Sequence, residues 1–153
     1  MIQLLKYKKI SFTLIFLFGA ISSLSLPPYN FFYINFFTLS FLFIFLIKNK
    51  TLLRRNYFLY GWLFGLGYFL CSLYWISISL TFDSELKILI PISLVLIPSF
   101  LALFFAIPVL LLSYFSKLNN LSLILIFSLL LAFFEFIRGV ILTGFPWNLF
   151  IYS

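Results

Sequence analysis

The stretch LSLILIFSLLLAFFEFIRGVIL, residues 121–142, contains only two charged side chains, Glu135 and Arg138. A helix that crosses the hydrocarbon core of a bilayer needs roughly 20 mainly apolar residues. This stretch therefore predicts a transmembrane helix. Four earlier runs have the same character, and the helices are expected at about residues 10–26, 31–47, 57–80, 88–114 and 121–142. The prediction is an all-α membrane protein, a bundle of about five transmembrane helices.

The composition of the chain excludes an ordinary soluble domain. Hydrophobic residues make up 65% of the sequence and charged residues 8%, whereas a soluble domain carries about 25% charged residues. Three acidic and ten basic side chains cannot cover the surface of a globule of this size, so the apolar surplus is expected to face lipid. Residues 1–153 are predicted to form one transmembrane helical domain with no soluble catalytic domain.

The basic residues occur in short clusters between the apolar runs. The net charge of +7 is therefore interpreted as an orientation signal, and no nucleic-acid partner is expected. The positive-inside rule places the N-terminus in the cytoplasm of a multi-pass protein, with loops 26–30, 81–87 and 143–153 facing outward. The residues that carry this signal are Lys6, Lys8, Lys9, Lys48, Lys50, Arg54, Arg55 and Lys117.

Glycine and proline modify two of the predicted helices. Gly61 and Gly65 are four residues apart in the third run, which permits close backbone contact with another helix. The fourth run contains Pro91, Pro98 and Pro108. A kinked or broken helix is expected there, because proline removes a backbone hydrogen bond.

The sequence offers few groups for catalysis or metal binding. There is no histidine, and Cys71 is the only cysteine. No Lys, Asp or Glu lies within ten residues of Cys71, so we interpret it as a small packed residue. No catalytic residue, metal site or cofactor is predicted.

Glu135 and Arg138 are the only charges well inside an apolar run, and their spacing of three puts them on one helix face. A charge at the centre of a membrane helix costs roughly 2.5–3.5 kcal/mol on insertion scales, and pairing lowers this cost. Two interpretations stay open: an ion pair that fixes the fifth helix to its neighbours, and a polar contact to a substrate cleft. Arg138 is also close enough to the outer end to extend toward the interface.

The fifth run is followed by a predicted turn. Gly144 can end the helix in the left-handed conformation, and Pro146 prevents the helix from resuming. Trp147 is then expected at the outer interface, where tryptophan is enriched.

These residues resemble those of a known family. EFIRG at 135–139 and LTGFPWN at 142–148 are similar to the E-x-x-R-G and T-G-F-P-W signature of apolipoprotein N-acyltransferases. Three other segments agree in order and spacing, with Ile151 in place of a family glycine: Gly19-Ala20 with Ser25–Tyr29, the glycines at 61, 65 and 67 with Tyr74-Trp75-Ile76, and Ile151-Tyr152-Ser153.

The resemblance implies a bacterial cytoplasmic (inner) membrane enzyme. Members move an acyl chain from a phospholipid to the N-terminal cysteine of a lipoprotein, with a Glu-Lys-Cys triad on a nitrilase-like domain. That domain is absent from this chain, so the lipoprotein substrate would be bound through the missing part. We expect the chain alone to be inactive, as a fragment or the product of a split or decayed gene. It would supply a membrane platform that contacts phospholipid and membrane lipids. Glu135, Arg138, Pro146 and Trp147 are the expected contact or shape residues.

Two other classes were weighed. A non-catalytic polytopic membrane protein, such as a transporter component or assembly factor, would be favoured by a repeat of broken helices, and only the fourth run is broken in that way. A different membrane acyl- or glycosyl-transferase would need a catalytic His or Asp near the interface, and Asp83 is the only Asp.

Overall fold

The computed structural model describes residues 2–50, 52–83, 85–141 and 148–150, with side chains from residue 10 onward except residue 86. Every regular element within these ranges is helical, which confirms the all-helical prediction. Short 3-10 segments cover Ser23–Ser25, Leu86–Leu89 and Ser113–Phe115. The α-helices are α1 (Ile2–Ser22), α2 (Tyr33–Lys48), α3 (Arg54–Ser72), α4 (Tyr74–Ser79), α5 (Ile90–Leu101), α6 (Leu103–Leu112) and α7 (Asn120–Ile141).

Two of the predicted runs are divided in the structure. The run 57–80 becomes α3 and α4, which meet at Leu73. The run 88–114 becomes α5 and α6, which meet at Ala102. Pro98 lies one turn before this second interruption and Pro108 lies inside α6. The interruption predicted from the prolines is found, at Ala102, where the N–H of Ala102 still donates to the carbonyl oxygen of Pro98.

The centre of the bundle is α3, which packs against α6 through two glycines. A Cβ built on Gly65 would lie 2.9 Å from the Cα of Ala102, and one on Gly61 would lie 2.6 Å from the carbonyl oxygen of Phe105. Real Cβ atoms do not approach backbone this closely, so the contact requires glycine. The close contact predicted for Gly61 and Gly65 is therefore confirmed, and α6 is the partner.

A different face of α3 packs against α1 in the same manner. A Cβ on Gly67 would collide with the carbonyl oxygen of Phe16 and would lie 2.9 Å from the backbone nitrogen of Ala20. Gly19 on α1 makes the reciprocal approach to the carbonyl oxygen of Phe64. The glycines thus hold α3 against two helices at backbone contact distance.

A small polar cluster joins α1 to α2. Ser22 Oγ donates to Asn35 Oδ1 at 2.6 Å and lies 3.0 Å from Thr38 Oγ1. All three side chains are buried. Hydrogen bonds of this kind attach helices to each other in apolar surroundings, where an unpaired polar group is costly.

Two helical stretches in the described part are long and apolar enough to cross a membrane, Lys87–Phe115 and Asn120–Ile141. Ile10–Ser25 and Tyr33–Lys48 are shorter apolar helices. Helix α3 has a lower mean hydropathy than α1, α2 and α7, because it begins with Arg54-Arg55-Asn56 and contains three glycines.

The structure corrects the interpretation of Cys71 as a packed residue. Cys71 is exposed and lies in a cleft at the end of α3, beside Leu17 and Ile21 of α1 and Trp75 of α4. Cys71 is four residues after Gly67, so both lie on the face of α3 that packs against α1, but Cys71 is one turn closer to the end of α1 at Ser22. The prediction was therefore wrong because the close contact between α1 and α3 gives way to an open cleft at the level of Cys71.

Candidate functional site

Glu135 and Arg138 form an ion pair on α7, as their spacing indicates. Arg138 Nη2 lies 3.4 Å from Glu135 Oε1. The Arg138 side chain is only 2% exposed, whereas that of Glu135 is 23% exposed. Arg138 thus points into the bundle and does not extend to the interface. Its positive charge is held in the protein interior, where it requires partners.

Aromatic rings and a backbone carbonyl complete the surroundings of Arg138. Its guanidinium carbon lies 5.0 Å from the centroid of the Phe69 ring and 6.0 Å from that of Phe105. The faces of aromatic rings attract cations at such distances. Arg138 Nη2 also donates to the carbonyl oxygen of Asn148 at 3.3 Å. The cation is therefore shared between α3, α6 and the segment that follows α7.

Residues 148–150 are fastened to the bundle by four further contacts. Tyr68 Oη donates to the carbonyl oxygen of Asn148 at 2.7 Å, and Asn148 Nδ2 donates to the carbonyl oxygen of Ser72 at 3.1 Å. The backbone N–H of Phe150 donates to Glu135 Oε1. Leu149 is buried and contacts α7, since its Cδ1 would lie 3.1 Å from a Cβ built on Gly139. Helices α3 and α7 thereby hold the chain where it returns after α7.

Asn148 occupies a position that few residues tolerate. Its φ of 47° lies in the left-handed region, which asparagine adopts more readily than most L-residues. This conformation lets the carbonyl oxygen accept from Tyr68 and Arg138 while the side-chain amide reaches Ser72. Asn148 therefore links α3 and α7.

An open groove lies next to this network, between α2 and α7. Its volume is about 580 Å³. Asn35, Glu135 and Phe150 line one end, and apolar side chains line the remainder with Ser40 and Ser128 between them. The full lining is Phe32, Asn35, Phe36, Leu39, Ser40, Phe43, Ile124, Phe127, Ser128, Leu131, Ala132, Glu135 and Phe150. The groove is thus polar at one end and mainly apolar along its length.

The predicted contact residues fall into two groups. The structure joins Glu135 and Arg138 in one network, whereas Pro146 and Trp147 lie outside the described residues. Sequence reasoning missed Tyr68 and Ser72 as members of the network. Nothing local distinguishes Tyr68 from the other tyrosines of the chain, because its partner Asn148 is 80 positions away.

Comparison with known proteins places the chain in a family. The family model described as the apolipoprotein N-acyltransferase N-terminal domain matches residues 18–153. The chain belongs to the apolipoprotein N-acyltransferase family. Members of this family from Rickettsia typhi and Rickettsia prowazekii, both named apolipoprotein N-acyltransferase, are 40% identical over 139 residues and 41% identical over 138 residues. Each match covers 90% of this chain and 27% of the relative.

Other bacteria also have similar relatives of the chain. The apolipoprotein N-acyltransferase of Rhizobium etli is 35% identical over 139 residues, a match that covers 85% of this chain and 26% of the relative. The chain thus spans about a quarter of the length of the curated relatives it matches. No solved structure matches it. The family match includes the network residues on α3 and α7 and the segment at 148–150.

Proposed function

We propose that this chain is the membrane platform of an apolipoprotein N-acyltransferase, an enzyme that transfers an acyl chain from phospholipid to the N-terminal cysteine of a lipoprotein. The observation that carries the proposal is the buried network of Tyr68, Glu135, Arg138 and Asn148, within a chain that matches the family domain over residues 18–153. The network fixes the segment after α7 to α3 and α7. In this role the chain holds the segment that follows α7 in position. It contributes no catalytic group.

Exposure of α7 supports a location in lipid. Only 11% of its most apolar 18-residue window is buried, whereas the apolar core helix of a soluble protein is mostly buried. Leu121, Leu125 and Leu129 are 72%, 64% and 70% exposed. A continuous apolar surface of this kind in water would favour aggregation. This exposure supports our proposal that the domain is a bundle of about five spans in the bacterial cytoplasmic membrane.

The groove between α2 and α7 is our candidate for the acyl contact. An acyl chain is a flexible hydrocarbon that fits apolar surface, and its ester or amide end needs polar partners. The polar end of the groove contains Glu135 and Phe150, which also belong to the network. Glu135 would then both contact the phospholipid and hold residues 148–150 in place. We propose Pro146 and Trp147 as further contact or shape residues.

A chimera tests the platform role. Residues 1–153 would replace the matching quarter of the Rickettsia typhi relative, and acyl transfer to a diacylated peptide would be measured in membranes. We expect transfer by the chimera and none by the 153-residue chain alone. In the chimera, Glu135→Gln and Trp147→Ala should each lower the rate about 10- to 100-fold, because misplacement by about 1 Å can cost 100-fold.

The matched control for the chimera is Phe136→Ala, since Phe136 is 68% exposed on the outer surface of α7. This variant should transfer at the rate of the parent chimera. Normal transfer by both Glu135→Gln and Trp147→Ala, at normal expression, would remove any substrate role for these residues. Transfer by the isolated chain would contradict the expectation that it is inactive alone.

Orientation of the domain is a separate proposal. The loops group at two ends: Lys50 Nζ contacts the 118–120 region at one end, and Tyr29, Trp75 and Asn148 line one cleft at the other. Successive loops thus alternate between the two ends of the bundle. This supports the predicted topology with the N-terminus in the cytoplasm.

Cysteine labelling of intact cells checks the orientation. In a Cys71→Ser background, Leu53→Cys and Phe82→Cys place thiols at positions 73% and 88% exposed. From outside, a membrane-impermeant maleimide should label position 82 at least about tenfold faster than position 53, since a bilayer excludes charged reagents. Labelling of position 53 from outside would reverse the topology and exclude an outward network.

A further inference from the structure

Two loops at the end of the bundle opposite the network carry cations and no acidic residue. They are residues 48–55, from the last residue of α2 into the first turn of α3, and 113–120, from the end of α6 to the first residue of α7. The three acidic residues of the chain, Asp83, Glu85 and Glu135, all lie elsewhere. The cations of the two loops are Lys48, Lys50, Arg54, Arg55 and Lys117.

Two of these cations hold the loops together. Lys50 Nζ donates to Asn120 Oδ1 at 3.1 Å and to the carbonyl oxygen of Leu118 at 3.3 Å. The guanidinium carbon of Arg54 lies 4.1 Å from the centroid of the Tyr114 ring, a favourable cation–π distance. The loops therefore form one continuous surface.

The other three cations, Lys48, Arg55 and Lys117, are exposed. They form no ion pair within the described part of the chain. Apolar side chains are exposed beside them in the same loops: Leu53 is 73% exposed, Phe115 43% and Leu118 42%. We name the surface made by these six residues the basic face. It combines unneutralised positive charge with apolar side chains at the same end of the bundle.

We propose that the basic face binds anionic phospholipid of the phosphatidylglycerol type, with Lys48, Arg55 and Lys117 on the head-group phosphates and Leu53, Phe115 and Leu118 in the acyl boundary. A bilayer surface offers both kinds of partner side by side, because its anionic head groups border its hydrocarbon. Nucleic acid would use the cations but would leave Leu53 and Leu118 without partners. The proposal does not depend on acyl transfer, whose lipid would lie near the opposite end.

Native mass spectrometry of the purified 153-residue chain tests this proposal. The chain would be released from detergent micelles that contain equal amounts of phosphatidylglycerol and phosphatidylethanolamine, and the ratio of the two bound lipids would be measured. We expect a preference for phosphatidylglycerol that falls at least about tenfold in the triple variant Lys48→Gln, Arg55→Gln and Lys117→Gln, since each surface cation contributes about fivefold.

Two controls separate charge from fold and from position. Lys87→Gln removes one exposed cation from the opposite end and should leave the preference unchanged, whereas Arg55→Gln alone should lower it about fivefold. The charge-preserving triple variant Lys48→Arg, Arg55→Lys and Lys117→Arg should retain it. Purification in detergent keeps the comparison independent of membrane orientation, and circular dichroism would establish equal helix content.

Several outcomes would overturn the proposal. One is an unchanged lipid ratio in the neutralised triple variant that retains its helix content. Another is an equal loss in Lys87→Gln. Saturable displacement of phosphatidylglycerol by millimolar inorganic phosphate would indicate a site for free phosphate, and tighter binding of an RNA oligonucleotide than of the lipid would indicate a nucleic-acid surface. If the neutralised variant does not fold, Arg55→Gln alone decides between these outcomes.

Discussion

Replacing Gly67 by alanine is expected to destabilise the bundle by about 3 kcal/mol, at the upper end of the range for overpacking. The added methyl group would collide with the carbonyl oxygen of Phe16 and would lie 2.9 Å from the backbone nitrogen of Ala20. Backbone cannot move aside as a side chain can, so α1 and α3 must separate. The measurement is the fraction of denaturing detergent in mixed micelles at which half of the helix content is lost.

Gly139→Ala is the matched control for Gly67→Ala. Among the described residues, a Cβ at position 139 would meet the two methyl carbons of Leu149, at 3.1 and 4.0 Å, and these atoms end a flexible side chain. Alanine also has a higher helix propensity than glycine by roughly 1 kcal/mol. The control should therefore match or exceed the stability of the parent. Equal midpoints for the two variants would show that α1 and α3 do not meet at Gly67.

The second large effect is expected at Arg138. Substitution by methionine keeps much of the apolar side-chain volume but leaves Glu135 without its cation and the carbonyl oxygen of Asn148 without one donor. Breaking a buried ion pair from one side typically costs about 3–5 kcal/mol. We expect a loss in this range, measured as the shift of the same denaturation midpoint.

A double-mutant cycle isolates the ion pair from these other contacts. In Glu135→Gln with Arg138→Met, both charges are absent, so the combined loss should be smaller than the sum of the two single losses by about 1–3 kcal/mol. Lys87→Met removes an exposed cation and should change stability by less than about 0.5 kcal/mol. Strict additivity in the cycle would mean that Glu135 and Arg138 act independently.

The parts of this structure that follow from hydropathy and spacing were predictable from the sequence. Apolar runs indicated the helices, and Pro98 indicated the interruption now seen at Ala102. The spacing of three between Glu135 and Arg138 indicated a shared face. Each of these properties depends on residues within one continuous segment of the chain, which is why sequence alone was sufficient.

Properties that depend on distant residues were not predictable in this way. Tyr68 enters the network because Asn148, in a left-handed conformation, presents its carbonyl oxygen to α3. Cys71 was expected to be packed and is exposed, because an open cleft follows the α1–α3 contact at Gly67. The partners of Gly61 and Gly65 were likewise undetermined until α6 was placed beside them.

The two glycine-mediated contacts of α3 also differ in when they can form. Ribosomes deliver the chain from its N-terminus at about 5–20 residues per second, so the surface that receives Gly67 has already been made when α3 emerges. The surface that receives Gly61 and Gly65 begins near Ala102 and arrives only seconds later. Helix α3, the least apolar of the long helices in the described part, therefore has its α1 partner available from the start and its α6 partner only later.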